Sequence, residues 1–192
     1  MARSTHAPYL RLVEPPSEDA RTEPRSHEMD GALLGFIDMS RVSDVALETI
    51  FTHVQPGWAF DLRPAPYFNI GRFNRKRMFE LFRISRTSYR DVAGLLRITV
   101  RNDASLNSGA IARFLNETLS TRPYRAPIVV LVDDEETLEH AMRVLPRALR
   151  VQGAGWCSMA FDVAACDGAP DLMLRAPGGE LHTFPMKWLP ES

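Results

Sequence analysis

Asp61 and Arg63 close the short apolar run Ala59-Phe60-Asp61-Leu62-Arg63, and they are the pair in this chain best placed to do chemistry. Side chains two residues apart on a strand share one face. The acid can therefore orient the guanidinium, whose planar fork receives a phosphate or a carboxylate through two parallel hydrogen bonds. On this reading Asp61 is a candidate catalytic base, with Asp134 and His140 as further catalytic candidates. Arg63, Arg72, Arg75 and Lys76 are the candidate anion-binding set. The competing reading is a structural ion pair that closes a sheet edge and ties down the loop from Pro64 to Phe73. Structural pairs also gather at sheet rims, and the structural reading is the one the sequence favours.

The pair opens a basic segment. Between residues 63 and 101 ten Arg and Lys stand against two acids, Glu80 and Asp91, a local balance of +8 in a chain of net charge −1. The run Arg72-Phe73-Asn74-Arg75-Lys76-Arg77 sets three cations in a first helical turn, where positive charge is unfavourable by about 0.3–1 kcal/mol each. Such a turn suits a bound anion or an acidic partner. Arg72, Arg75, Arg83, Arg86 and Arg90 with Tyr67, Phe73 and Tyr89 would also suit RNA or single-stranded DNA, through phosphate contacts and stacking. A solvated helix face over a core of Phe79, Leu81 and Phe82 accounts for the same residues. The chain holds 21 Arg and only two Lys, Lys76 and Lys187, a bias that a GC-rich genome produces as readily as function does.

Other constellations carry less. Asp133-Asp134-Glu135-Glu136 begins a helix, where acids are favoured. Asp133 and Glu136 form a plausible capping box, and no metal site is expected. The histidines at 6, 27, 53, 140 and 182 pair with no nucleophile. Gly153, Gly155, Gly178 and Gly179 read as turn residues, without a dinucleotide fingerprint, and no cofactor is expected. Cys157 and Cys166 form neither a disulfide framework nor a zinc site. Trp156 and Trp188 are expected in the core or a lid; an exposed Trp188 near Pro185 and Pro190 would mark a partner surface.

These residues need elements to hold them. Residues 1–31, broken by Pro8, Pro15, Pro16 and Pro24, read as a disordered or extended arm. Residues 32–192 read as one α/β domain. Ala32–Asp38 and Ile128–Val132 are continuous apolar runs, typical of strands buried on both faces. Trp58–Leu62 is a third strand and Thr87–Val92 a short fourth. Helices are expected from a Ser43 cap, with Val45, Ile50, Phe51 and Val54 inward; from Asn74 to Phe82; from Asn107 to Leu119; and from Glu135 to Leu149. Asp171–Arg175 and Leu181–Phe184 flank Pro177-Gly178-Gly179 as a C-terminal hairpin. The alternation argues for a three-layer, Rossmann-like fold: a mostly parallel sheet with helices on both faces. Its carboxyl edge, where open sheets bind ligands, would present Asp38 with Ser40, Asp61 with Arg63, and Asp133 with Asp134. No apolar run approaches the ~20 residues of a membrane span. The N-terminus lacks a secretory h-region, so a cytoplasmic protein is expected.

In this order the elements resemble the bacterial domain of unknown function 488 family over roughly residues 33–150. Gly35-Phe36-Ile37-Asp38-Met39-Ser40 resembles that family's opening Gly-His-Ser-like turn. Asp61-Leu62-Arg63 with Pro66 resembles its Asp-Val-Arg strand and downstream proline. Phe73 and Tyr89 fall at the family's spacings, and Val129-Val130-Leu131-Val132 resembles its late strand. Val132 stands where the family places the first residue of Cys-x-Glu, and Asp134 stands near the Glu. Glu139-His140-Ala141-Met142-Arg143 replaces Cys-His-Arg. The resemblance therefore implies the family scaffold without its thiols. The resulting expectation is a non-catalytic subunit whose arginine-rich face binds an anionic ligand, a protein partner or another copy. An enzyme acting on a nucleotide-like or phosphorylated substrate, with Arg63 and Arg72 holding the anion, is one alternative. A nucleic-acid-binding protein is the other.

Overall fold

A computed structural model describes residues 32–99, 108–121, 127–149, 155–162 and 172–183. The expected N-terminal arm, Arg101, Asn107, Cys166 and Trp188 lie outside the described residues, as do His6 and His27. The elements run β1 (Ala32–Asp38), α1 (Asp44–Val54), β2 (Trp58–Asp61), α2 (Arg75–Ile84), β3 (Ser88–Asp91), α3 (Val92–Leu96) and α4 (Ser108–Thr121). They continue as β4 (Ile128–Val132), α5 (Glu135–Ala148), β5 (Trp156–Phe161), β6 (Met173–Arg175) and β7 (Leu181–Thr183). No helix among the described residues is long and apolar enough to cross a membrane.

The seven strands form one sheet in the order β3-β2-β4-β1-β5-β6-β7. The first five are parallel, and β6 and β7 join antiparallel. β1 is buried along nearly its whole length because β4 and β5 flank it. Its alternate residues feed two separate cores. Leu33 and Ile37, with Ala59, Val129 and Leu131 of β2 and β4, pack against Leu47, Ile50 and Phe51 of α1 and Met78 and Phe82 of α2. Leu34 and Phe36, with Phe60 and Val130, pack against Val92 of α3, Ile111 and Leu115 of α4, and Leu138 and Met142 of α5. Each large side chain so buried contributes about 1.5–3 kcal/mol.

Helix ends follow local chemistry. Ser43 caps α1, accepting from the Ala46 N–H at 3.0 Å, and Asn74 caps α2, accepting from Arg77. Four local expectations need correction. Val45 is 41% exposed, and Ala46 and Leu47 take the inward positions of α1. The cap of α5 is Asp134 rather than Asp133: its Oδ1 accepts the Thr137 N–H at 2.7 Å, because the chain runs two residues beyond β4 before turning. The expected strand Thr87–Val92 ends at Asp91, which caps the short α3 beginning at Val92. β5 lies where no strand was expected, directly after the turn glycines, with Trp156 at its start.

Gly35 lies inside β1, not in a turn. A Cβ there would come within 2.5 Å of the Phe161 ring of β5. The glycine therefore admits an aromatic ring against the strand, a close-approach role. Pro146 lies within α5 and cannot donate to the carbonyl four residues back. That carbonyl, of Met142, accepts instead from the Ser158 hydroxyl of β5 at 2.9 Å, which stitches helix to sheet.

Candidate functional site

Parallel pairing sets the strand ends on one edge: Asp38 lies opposite Val132, and Asp61 opposite Leu131 and Asp91. Asp38 with Ser40, Asp61 with Arg63, and Asp133 with Asp134 all lie along this carboxyl edge. Asp38 uses Oδ1 to accept from the Ser40 N–H at 2.9 Å and the Ser40 hydroxyl at 2.7 Å, while its buried Oδ2 has no hydrogen-bond partner.

At β2 the acid and the arginine are locked together. Arg63 Nε donates to Asp61 Oδ1 at 2.8 Å and Nη2 to Oδ2 at 2.7 Å, and both side chains are 0% exposed. The Arg63 main-chain N–H donates to Oδ1 at 3.1 Å, and the Tyr89 hydroxyl of β3 donates to Oδ2 at 2.9 Å. A carboxylate offers about four acceptor positions, so Asp61 is saturated from within the fold. The third arm of the fork, Nη1, donates to the Tyr67 carbonyl at 2.9 Å, which fixes the loop that Pro64 and Pro66 begin. The guanidinium lies over the Phe68 ring at 4.9 Å. An incoming anion would have to displace Asp61 to reach Arg63.

Electrostatics agrees with this closure. Burial acts to lower the Arg63 pKa, but the hydrogen bonds and charge of Asp61, helped by Asp133, more than reverse it and hold the guanidinium above its ordinary value. Burial foremost, then the charge of Asp61, raises the Tyr89 phenol far above its ordinary value. A raised folded-state pKa contributes stability that is complete below the unfolded value of about 10 and is lost as pH rises through the folded one. Tyr89 is therefore expected to remain a phenol until alkaline unfolding. Titrating phenolate absorbance up to about pH 11 should give the same amplitude for Tyr89→Phe as for the unsubstituted chain. A smaller amplitude in the variant would refute the assignment.

The remaining candidates are spread along the edge. Asp134 is engaged as the α5 cap, its Oδ2 also accepting the Thr137 hydroxyl at 3.1 Å. His140 lies in the second turn of α5 with a buried Nε2 that has no hydrogen-bond partner. No hydrogen bond among the described residues joins either to Asp61. Arg72 pairs with Glu48 and, through Nε at 3.5 Å, with Asp44 of α1. The Arg72 main-chain N–H, foremost, holds the Asp44 carboxyl below its ordinary value. Arg83 pairs with Glu80 at 2.6 Å. Arg75 and Lys76 are exposed and join no ion pair among the described residues; the Arg75 guanidinium lies over Phe79 at 5.3 Å. No group of three or more His, Cys, Asp or Glu among the described residues is placed to hold a metal ion.

The members that sequence reasoning missed are Phe68 and the role of Tyr89. Tyr89 reaches Asp61 only because β3 pairs with β2, and no local spacing encodes that pairing. Phe68 lies one residue beyond the exposed Tyr67, in a loop without periodicity. The fold and this rim define an α/β protein whose central acid and arginine are satisfied internally. Comparison with protein families, with curated proteins and with solved structures finds no match.

Proposed function

We propose that this chain is a non-catalytic binding subunit that engages an acidic protein partner through one flank of α2. Its scaffold is read as a three-layer, Rossmann-like α/β fold ending in a β-hairpin, similar to the domain of unknown function 488 family without that family's thiols. One observation carries the reading: Asp61 and Arg63 are bonded to each other, to the Tyr89 hydroxyl and to the Tyr67 carbonyl, out of reach of solvent. Of the expected anion-binding set, Arg75 and Lys76 are left for a ligand, beside the partly exposed ring of Phe79. An enzyme would need Asp61 or Arg63 free for substrate, which argues for binding over turnover.

Nucleic acid is the second reading, favoured by Tyr67 at 55% and Phe79 at 39% exposure beside Arg75. Against it, Arg63, Arg72 and Arg83 are already neutralised by carboxylates, which removes three of the segment's ten cations from a phosphate backbone.

The test compares the proteins that co-purify with tagged chain, Arg75→Glu/Lys76→Glu, and Arg97→Glu, an exposed cation elsewhere. The double variant should lose a partner that the unsubstituted chain and Arg97→Glu retain, at unchanged melting temperature. Equal partner sets in all three would defeat the proposal. A single-stranded oligonucleotide that binds the unsubstituted chain with a steep salt dependence, and fails to bind the double variant, would establish the second reading in its place.

A further inference from the structure

We propose, beyond the acidic partner of the preceding reading, that a second copy of this chain docks on the opposite flank of α2, the two α2 helices lying antiparallel about a two-fold axis. Arg77, Glu80 and Ile84 recur at helical spacing along α2, so at about 100° per residue they form one stripe, and Phe73, just before the Asn74 cap, lines the same groove. That stripe lies away from Arg75 and Phe79. With Arg72 and Leu81 it lines a groove of about 310 Å³, closed on the α1 side by Glu48. Ile84 is 66% exposed at its end.

The stripe is complementary to itself. An axis passing between positions 78 and 79 sets Phe73 against the second copy's Ile84 and Arg77 against the second copy's Glu80, and each pair occurs twice. Apolar residues meet apolar residues, opposite charges meet, and the antiparallel helix dipoles oppose each other. An isologous contact requires this self-matching.

The present partners of the two charges are weak competitors. Glu80 is held by exposed Arg83, and Arg77 Nη1 donates to the Arg72 carbonyl at 2.9 Å, both at the surface where such contacts contribute little. Arg72 with Glu48 and Arg77 with Glu80 leave the groove close to neutral, so it selects a surface of both signs around an apolar side chain rather than a free anion. Two ten-residue helices bury less than the ~1,200 Å² of a standard interface, so a weak, salt-sensitive dimer is expected.

Sedimentation equilibrium from about 1 μM to about 1 mM tests this on the full chain. The unsubstituted chain should dimerise with rising concentration, and Ile84→Glu should raise the dissociation constant at least ~10-fold. Arg77→Glu and Glu80→Arg should each weaken the dimer by juxtaposing like charges. The double variant Arg77→Glu/Glu80→Arg should regain it, as should an equimolar mixture of the two single variants. A monomer throughout the range overturns the proposal, as does a dimer indifferent to Ile84→Glu and to charge reversal. Arg75→Glu/Lys76→Glu should leave the dimer unchanged, so failure here and failure of the partner reading are separable.

Discussion

Arg63→Ala is expected to cost about 3–5 kcal/mol of stability, because it strands the Asp61 carboxylate in the interior. Urea unfolding should show the midpoint collapse with the slope little changed. Asp61→Ala should do comparable damage, since it leaves a guanidinium buried over Phe68 with its Asp61 acceptors gone. The informative variant is the pair Asp61→Leu/Arg63→Met. Removing both charges together spares the cost of an unpaired ion, so the double variant should recover a large part of what either single variant loses. The non-additivity of such a cycle measures the coupling directly. If each single substitution cost less than about 1 kcal/mol, the pair would behave like a surface salt bridge, and its structural role would have to be abandoned.

Phe68→Ala is expected to be about as damaging, at about 3–5 kcal/mol for a large aromatic removed from a packed site. Its ring is 2% exposed. It stands edge-on to Phe79 at 6.1 Å, Phe82 at 6.1 Å and Tyr89 at 5.8 Å. The same ring supports the guanidinium of Arg63, so its loss opens the rim from below as well as emptying the core. Phe68→Leu, which keeps most of the volume, should cost less than half as much in the same unfolding measurement. Equal losses for the two variants would mean that the ring's stacking, rather than its volume, holds the site.

The strongest local signals in the chain are those the structure repeats. Ala32–Asp38 and Ile128–Val132 are strands with the predicted bounds, because an unbroken apolar run has few places to go but the middle of a sheet. Ser43 and Asn74 cap the helices they were expected to cap. Signals failed where the deciding partner is distant. No strand was expected at β5, which is held by pairing with β1. Gly35 falls within the expected strand, but its constraint is the Phe161 ring, more than a hundred residues away in sequence.

The site divides along the same line. Asp61 ends β2, one residue short of the expected strand, and Arg63 follows two residues later, beyond the strand, so their proximity follows from short spacing. Tyr89 and Phe68 complete the rim only through β2–β3 pairing and the loop that Arg63 anchors. Phe79, expected in the core, remains 39% exposed although it touches three other rings. Its helical position straddles the boundary between core and solvent, which a simple apolar stripe does not resolve.

The strand order carries a consequence for how the chain must be made. β1 and β2 are not neighbours; β4, some seventy residues further along, lies between them and pairs with both. Until that segment arrives, the two earlier strands would face each other across a gap of about 9–10 Å, twice the spacing of a sheet. A nascent chain ending before residue 128 thus holds the β2–β3 pair but leaves β1 with no partner strand, and the centre of the fold closes only when a late piece is threaded in. Assembly of this kind has a long contact order and is slow. A prematurely terminated chain should therefore be a substrate for proteolysis rather than a smaller working version of the protein.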